Sequence, residues 1–268
     1  MFDLQKYVDK VTQLKKQYPK YLTNNFFNYS ELQLLSKKEN VELLYNKEAI
    51  VILDNDNNVN RVYFVLSSLE NADMLSKLLE SGNLDKPYII DCLGKEAFLE
   101  NLKSAFENNG INLYTKMNRW RANKLHNLLK LKQNDSMMPA KLEDVSEIKK
   151  LLDEVFDPYV SHLPSEEKLK NLIENDLVFC IREEKKIIAV FCFELLGKES
   201  IYFYQDAVHE DYQGTGIGVL LLHYSLQNYK DKKNFTGWIE YTNKVSEKMH
   251  SFLGMKKDGL MDYVFIYK

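Results

Sequence analysis

The chain has 268 residues, with three cysteines, five prolines, ten glycines and a formal charge of −3. That length suits two domains of about 130 residues better than one, and 45% apolar with 12% aromatic residues excludes disorder over most of it. Thirty-six basic residues face thirty-nine acidic ones, and only Arg61, Arg119, Arg121 and Arg182 are arginine, which disfavours a nucleic-acid surface built on clustered cations.

No stretch approaches the roughly 18–20 uninterrupted apolar residues of a bilayer span. The amino end, MFDLQKYVDKVTQLKKQYPKY, also lacks the apolar run of a signal peptide, so a cytoplasmic protein without membrane contact is expected. Cys92, Cys180 and Cys192 stand singly inside apolar runs without metal-ligand spacing and read as buried free thiols.

In chain order, apolar residues at helical spacing (Leu4, Tyr7, Val8, Val11, Leu14, then Leu32, Leu34, Leu35) predict two helices within 1–40. AIVILD (49–54) and NRVYFVLSS (60–68) flank Asp54-Asn55-Asp56-Asn57-Asn58 and predict a hairpin. A helix at 71–81, a strand at 87–92, a helix near 95–108 and a strand at 111–117 complete an α/β domain at 1–130. The basic stretch Lys116 to Lys132, with Trp120 inside it, reads as a solvated helix face or linker, with a phosphate-binding patch as the competing reading. Residues 119–138 therefore form the boundary, and Pro139 acts as a stop signal.

The second half, 138–268, predicts a strand PAKL, helices at 146–156 and 166–175, and strands at 177–183, 187–196 and 200–208. A glycine-rich turn then leads into a helix at 219–230, a strand TGWIEYT, a helix VSEKMHSFL and a closing strand pair around Lys256 to Tyr267. FENNGI (106–111) and HSFLGM (250–255) end the two halves alike, which suggests a diverged internal duplication, with chance recurrence of a helix–Gly–strand junction as the other reading.

Chemistry concentrates in Val208-His209-Glu210-Asp211-Tyr212-Gln213-Gly214-Thr215-Gly216-Ile217-Gly218, between an apolar strand and a helix. Glycines there let the backbone approach a ligand, and the first amides of the helix converge on one point, which suits phosphate oxygens. A P-loop fails because Val219-Leu220 stands where Lys-Ser/Thr is required, and the alternating glycines do not fit the dinucleotide spacing.

This stretch resembles the pyrophosphate loop of the GNAT superfamily of acyl-CoA-dependent N-acyltransferases, Q/R-x-x-G-x-G/A, with Gln213, Gly216 and Gly218 in place and Ala207-Val208 ending the strand. A second family signature, Asn-x-x-Ala-x-x-x-Tyr-x-x-x-Gly-Phe, reads here as Asn243, Ser246, His250, Gly254 and Met255, with Asn243 and Gly254 in place and Ser246 replacing a small alanine. The resemblance covers about 138–268. It implies a central mixed, mostly antiparallel sheet flanked by helices, preceded by an N-terminal α/β domain that would be a degenerate repeat if the duplication reading holds.

The resemblance further implies transfer of an acetyl group from acetyl-CoA to a primary amine by direct attack, without an acyl-enzyme. The backbone of Gln213, Gly214, Thr215, Gly216, Ile217 and Gly218 would hold the CoA pyrophosphate. Ala207 and Val208 would bond the pantetheine arm and polarise the thioester carbonyl, and Asn243 would contact the pantetheine. A β-bulge in the family splays two strands apart to receive the thioester.

The family's acid, a tyrosine, is His250 here. An imidazolium, with an ordinary pKa near 6.5, can protonate a thiolate; the competing reading is a packing residue. Asp206 and Glu240 are the carboxylates nearest the expected gap and the candidates for the base. Tyr202, Tyr204 and Trp238 read as core or cleft lining.

The first half has no matching loop, since Leu69-Glu70-Asn71-Ala72-Asp73 lacks glycine. The acceptor, a small-molecule or peptide amine, and the oligomeric state are not legible. A non-catalytic acyl-CoA-binding or sensor protein is the alternative function, motivated by the missing tyrosine, and aminoacyl transfer from tRNA is disfavoured by the intact loop and the acidic charge.

Overall fold

The computed structural model describes residues 2–55, 59–82, 85–128 and 136–268. The centre of the Asp54 to Asn58 turn and residues 129–135 of the basic linker lie outside the described residues. The chain forms two compact units, residues 1–117 with 260–268, and residues 118–259. These differ from the sequence-derived halves 1–130 and 138–268 at two places: residues 118–130 join the second unit, and the last nine residues join the first.

The first unit opens with α1 (Leu4–Gln17), capped by Asp3, β1 (Leu22–Thr23) and α2 (Tyr29–Leu35), where Asn28 and Glu31 cap each other's backbone amides. Then follow β2 (Val41–Tyr45), β3 (Ala49–Asn55), β4 (Asn60–Leu66), α3 (Ala72–Glu80), β5 (Tyr88–Gly94) and α4 (Glu96–Glu107). Two long strands, β6 (Asn112–Ala122) and β12 (Lys256–Tyr267), are each divided between the units. Within this unit the sheet order is β2-β3-β4-β5-β12, with β1 on β4; β4 and β5 pair in parallel, and the β1–β4, β2–β3, β3–β4 and β5–β12 pairs are antiparallel. The run AIVIL has no polar alternation because both its faces are covered. Ala49, Val51 and Leu53 pack with Leu75, Leu99 and Phe106 of α3 and α4, whereas Ile50 and Ile52 pack with Tyr7, Val11 and Leu32 of α1 and α2.

The second unit adds β7 (Met137–Pro139), α5 (Val145–Val155), α6 (Glu166–Glu174), β8 (Val178–Glu183), β9 (Lys186–Leu196), β10 (Ser200–Val208), α7 (Ile217–Leu226), β11 (Asn234–Glu240) and α8 (Lys244–Phe252). Its strand order is β6-β11-β10-β9-β8-β7; β10 and β11 are parallel, and β7 to β10 are antiparallel. One face of this sheet carries α6, through Lys168 to Glu194 and Tyr204. The other carries α7, where Tyr224 meets Phe179, itself stacked on Phe193.

The mixed α/β fold, the mostly antiparallel sheet and the helices on its faces agree with the sequence-based reading. Four local expectations need correction. β2 was not expected, because VELLY is short and follows the polar run SKKEN (36–40). The closing strand pair is a single strand, β12. The helix expected at 219–230 begins earlier, at Ile217, and ends in a 3-10 turn at Gln227–Tyr229.

The fourth correction concerns the basic stretch, whose first part is no helix. β6 runs to Ala122, with Asn118 and Trp120 buried on one face while Arg119 and Arg121 approach Asp258 from the other. Period-two alternation there was hidden by its basic composition. The parallel endings are real at the backbone: Ile111 N–H donates to the Phe106 carbonyl (3.1 Å) and Met255 N–H to that of His250 (3.0 Å), the same helix cap, with Gly110 and Gly254 left-handed.

Candidate functional site: a parted strand pair beside a glycine loop

β10 pairs with β11 over four residues only, Ser200↔Asn234 to Phe203↔Gly237, although both strands continue. The cause lies on the other edge of β10. There Phe203 opposes Phe193 and Gln205 opposes Cys192, so Tyr204 is an inserted residue, a β-bulge. Such an insertion bends and twists its strand, which carries β10 away from β11. Gly237 fits the last paired position because a Cβ there would stand 3.3 Å from the Cβ of Phe203.

The bulge also decides which way the two carboxylates face. Asp206 opposes Phe191, and Phe203 opposes Phe193, so the register puts Asp206 on the face of Phe203 and of α7. Glu240 lies four residues beyond Thr236, the partner of Tyr202, and therefore shares the face of Tyr202. The two base candidates thus flank the parted strands on opposite faces.

On the Asp206 face stands His250, buried at 4% exposure, its ring 5.6 Å from that of Phe203. Its Nδ1 lies 2.8 Å from the Ser246 carbonyl oxygen and 3.3 Å from Ser246 Oγ. A carbonyl only accepts, so Nδ1 carries a proton and Nε2 is the nitrogen left to gain or lose one. Burial raises the pKa of Asp206 above the usual carboxylate value, and the electrostatic influence of His250 opposes that rise. Asn243 accepts the Ser246 N–H (3.0 Å) through Oδ1 and so caps α8, the helix that presents His250.

Past Val208, a 3-10 turn (Glu210–Tyr212) leads into the glycine loop. The loop is laced to its surroundings: Lys186 Nζ donates to His209 Nε2 (3.0 Å), Tyr212 bonds Glu183, and Thr215 Oγ1 donates to the Tyr212 carbonyl (2.6 Å). Gln213 Nε2 donates to the Val208 carbonyl (3.1 Å). Gly214 (φ +77°) and Gly216 (φ +86°) are left-handed, and a Cβ on either would meet nothing within 4 Å. Conformation, not crowding, demands glycine at these two positions. At Gly218 the reason is packing, since a Cβ would stand 3.0 Å from Val208 Cγ2. The first i→i−4 bond of α7 is Leu220 N–H to the Gly216 carbonyl (3.1 Å), so the amides of Ile217, Gly218 and Val219 precede its ladder and head the helix. Open space over the glycines and amides at a helix N-terminus suit a pyrophosphate.

The bulged Tyr204, the Ser246 carbonyl that orients His250 and the second role of Asn243 escaped the sequence reading. SIYFYQDAV alternates without a break, and a backbone carbonyl leaves no trace in residue types. The turn after β4 in the first unit, Leu69–Asn71 running into α3, has no left-handed glycine, and Asn71 Nδ2 donates to Ser67 Oγ (2.8 Å).

Residues 145–255 match the family described as Acetyltransferase (GNAT) family. No curated protein matches the chain. Among solved structures, the chain is similar to an acetyltransferase of the GNAT family from Colwellia psychrerythraea, with 16% identity, 97% of each chain covered and a TM-score of 0.54. It is also similar to a GCN5-related N-acetyltransferase from Sphaerobacter thermophilus, with 10% identity, 88% of this chain and 84% of that one covered and a TM-score of 0.58. A tandem GNAT protein from the clavulanic acid biosynthesis pathway, in a structure without AcCoA, shares 10% identity over 98% of this chain and 94% of its own, with a TM-score of 0.58. At these identities the neighbours establish a tandem fold over nearly the whole chain. Residues 145–255, the segment that matches the acetyltransferase (GNAT) family, contain the glycine loop, the bulged strand and His250.

Proposed function

We propose that the protein is an acetyl-CoA-dependent N-acetyltransferase that acts on a primary amine by direct attack. The observation that carries this reading is the parting of β10 from β11 at the Tyr204 bulge, beside a loop whose amides head α7. Acetyl-CoA, when bound, supplies an acyl carbon already activated as a thioester. The amides from Gly216 to Gly218 would hold its pyrophosphate, with Gln213, Gly214 and Thr215 shaping the approach. The backbone of Ala207 and Val208, past the end of the β11 pairing, would bond the pantetheine arm and polarise the acyl oxygen. Asn243, whose Oδ1 already accepts from Ser246, would use its Nδ2 toward the pantetheine.

The proton traffic follows from the two faces. Glu240 accepts the proton that the attacking amine sheds, and Nε2 of a protonated His250 donates to the departing sulfur. Asp206 shares the face of His250, whose electrostatic influence opposes the rise that burial gives its carboxyl, and would act as a positioning residue rather than as the base. A cysteine route is disfavoured because the three thiols are buried, and burial pushes Cys180 up to about 11 and raises Cys92 and Cys192 as well.

A CoA-release assay over a panel of primary amines, run beside calorimetric CoA binding, tests the reading. His250→Phe is expected to lower turnover by roughly 100-fold while leaving CoA affinity unchanged. CoA binding without release on any amine would make the protein an acyl-CoA-binding module, and a trapped acetyl-enzyme would end the direct-attack mechanism.

A further inference from the structure

The last paired positions of the parted strands are Phe203 and Gly237, so the first residues beyond the parting are Tyr204 on β10 and Trp238 on β11. Trp238 shares the face of Tyr202 and Glu240 by strand alternation. Tyr204, two residues from Tyr202 along β10, lies on that same face: its ring lies 6.1 Å from that of Tyr202, and Lys168 Nζ stands 5.9 Å from its centroid. All four residues are half-buried rather than sealed in the core. The Tyr204 hydroxyl donates to the His162 carbonyl (2.8 Å), which fixes the ring, and burial raises its pKa, so it stays a neutral phenol. Lys168, the cation beside it, is engaged by Glu194 at 2.8 Å. Two aromatic walls and a carboxylate therefore flank the gap on the face opposite His250.

Aromatic faces attract cations and cover apolar groups, and a carboxylate adds a charge-assisted bond to an ammonium. We propose that the acceptor is a cationic primary amine carried on an aromatic or similarly bulky apolar group, with no carboxylate next to the amine, received by Tyr204, Trp238 and Glu240. Trp238 and Tyr204 cover the apolar group, Glu240 pairs with the ammonium, and a carboxylate on the neighbouring carbon is repelled by Glu240. This assignment rests on the transferase reading above and narrows it to one class of acceptor.

The test uses the full chain with 2-phenylethylamine, n-butylamine and L-phenylalanine, each measured by calorimetric binding and by CoA release from acetyl-CoA. 2-Phenylethylamine is expected to bind roughly tenfold or more tightly than either of the others. Trp238→Leu should reduce its advantage over n-butylamine, and Glu240→Gln should reduce its advantage over L-phenylalanine. Glu240→Gln is isosteric and keeps the proposal testable should Trp238→Leu fail to fold. Equal or tighter binding of n-butylamine or L-phenylalanine, or ratios untouched by both variants, overturns the proposal. Turnover of other amines with no preference for 2-phenylethylamine leaves the transferase standing and removes this acceptor class. Selective binding that both variants weaken, without CoA release, keeps the class and removes the transferase.

Discussion

Gly216 opens α7 at φ +86° with empty space where a side chain would project. Gly216→Ala is therefore expected to cost about 1–2 kcal/mol through backbone strain alone, and to weaken CoA binding because the loop amides lose their alignment; urea unfolding and calorimetry read the two effects separately. Asp262, on β12, is a different case. Burial, then nearby Asp91, push its carboxyl well above the ordinary 3.8, while the Cys92 amide and Arg61 pull it down, and its Oδ1 has no hydrogen-bond partner among the described residues. Between 3.8 and the raised value the folded chain holds a proton that the unfolded chain has released, so this contribution to stability is full below 3.8 and lost as the pH rises through the raised value. Asp262→Asn, neutral at every pH, is expected to raise Tm at pH 8 and change it little at pH 3.5; an equal shift at both would contradict the argument. Among single residues the glycines were legible because their geometry follows from their chemistry, whereas the burial of Asp262 was not, since nothing in MDYVF marks which neighbour it meets.

Helix α8 shows what an element adds to its residues. Asn243 caps it through Ser246, Ser246 orients His250 through its carbonyl, and so one side chain at the first turn holds the imidazole a turn later. Asn243→Ala is expected to lower stability by about 1 kcal/mol, and Asn243→Asp, which keeps the capping oxygen, to retain it; denaturant midpoints decide. Element positions were largely readable from periodicity, with β10 expected at 200–208 and found at Ser200–Val208. Its bulge was not readable, because the insertion of Tyr204 is defined by the register of β9, a partner strand, and not by the strand itself. The same reason explains why both Asp206 and Glu240 stood as equivalent bases in the sequence and face opposite ways in the fold.

At the scale of the molecule, the later part of β12 belongs to the first unit, where Met261–Tyr267 pairs with Tyr88–Gly94 and buries Tyr263 and Phe265 completely. A fragment covering 1–130 is consequently expected not to fold alone, since losing two fully buried aromatics costs roughly 3–5 kcal/mol each, comparable with the whole stability of a small domain. Adding the 256–268 segment as a peptide should restore protection of the β5 amides in hydrogen exchange; a stable, protected 1–130 fragment would refute the division.

By itself the sequence determined the α/β class, most elements of both halves, the glycine loop and the second motif around His250. These rest on local physics: helical and strand periodicities, and backbone conformations that only glycine adopts readily. Tertiary structure alone decided that β6 continues as a strand through a basic segment, that β12 ends in the first unit, that β10 parts from β11, and which carboxylate shares a face with His250. Each depends on register between strands distant in the chain, and a one-residue shift in register moves every later side chain to the opposite face.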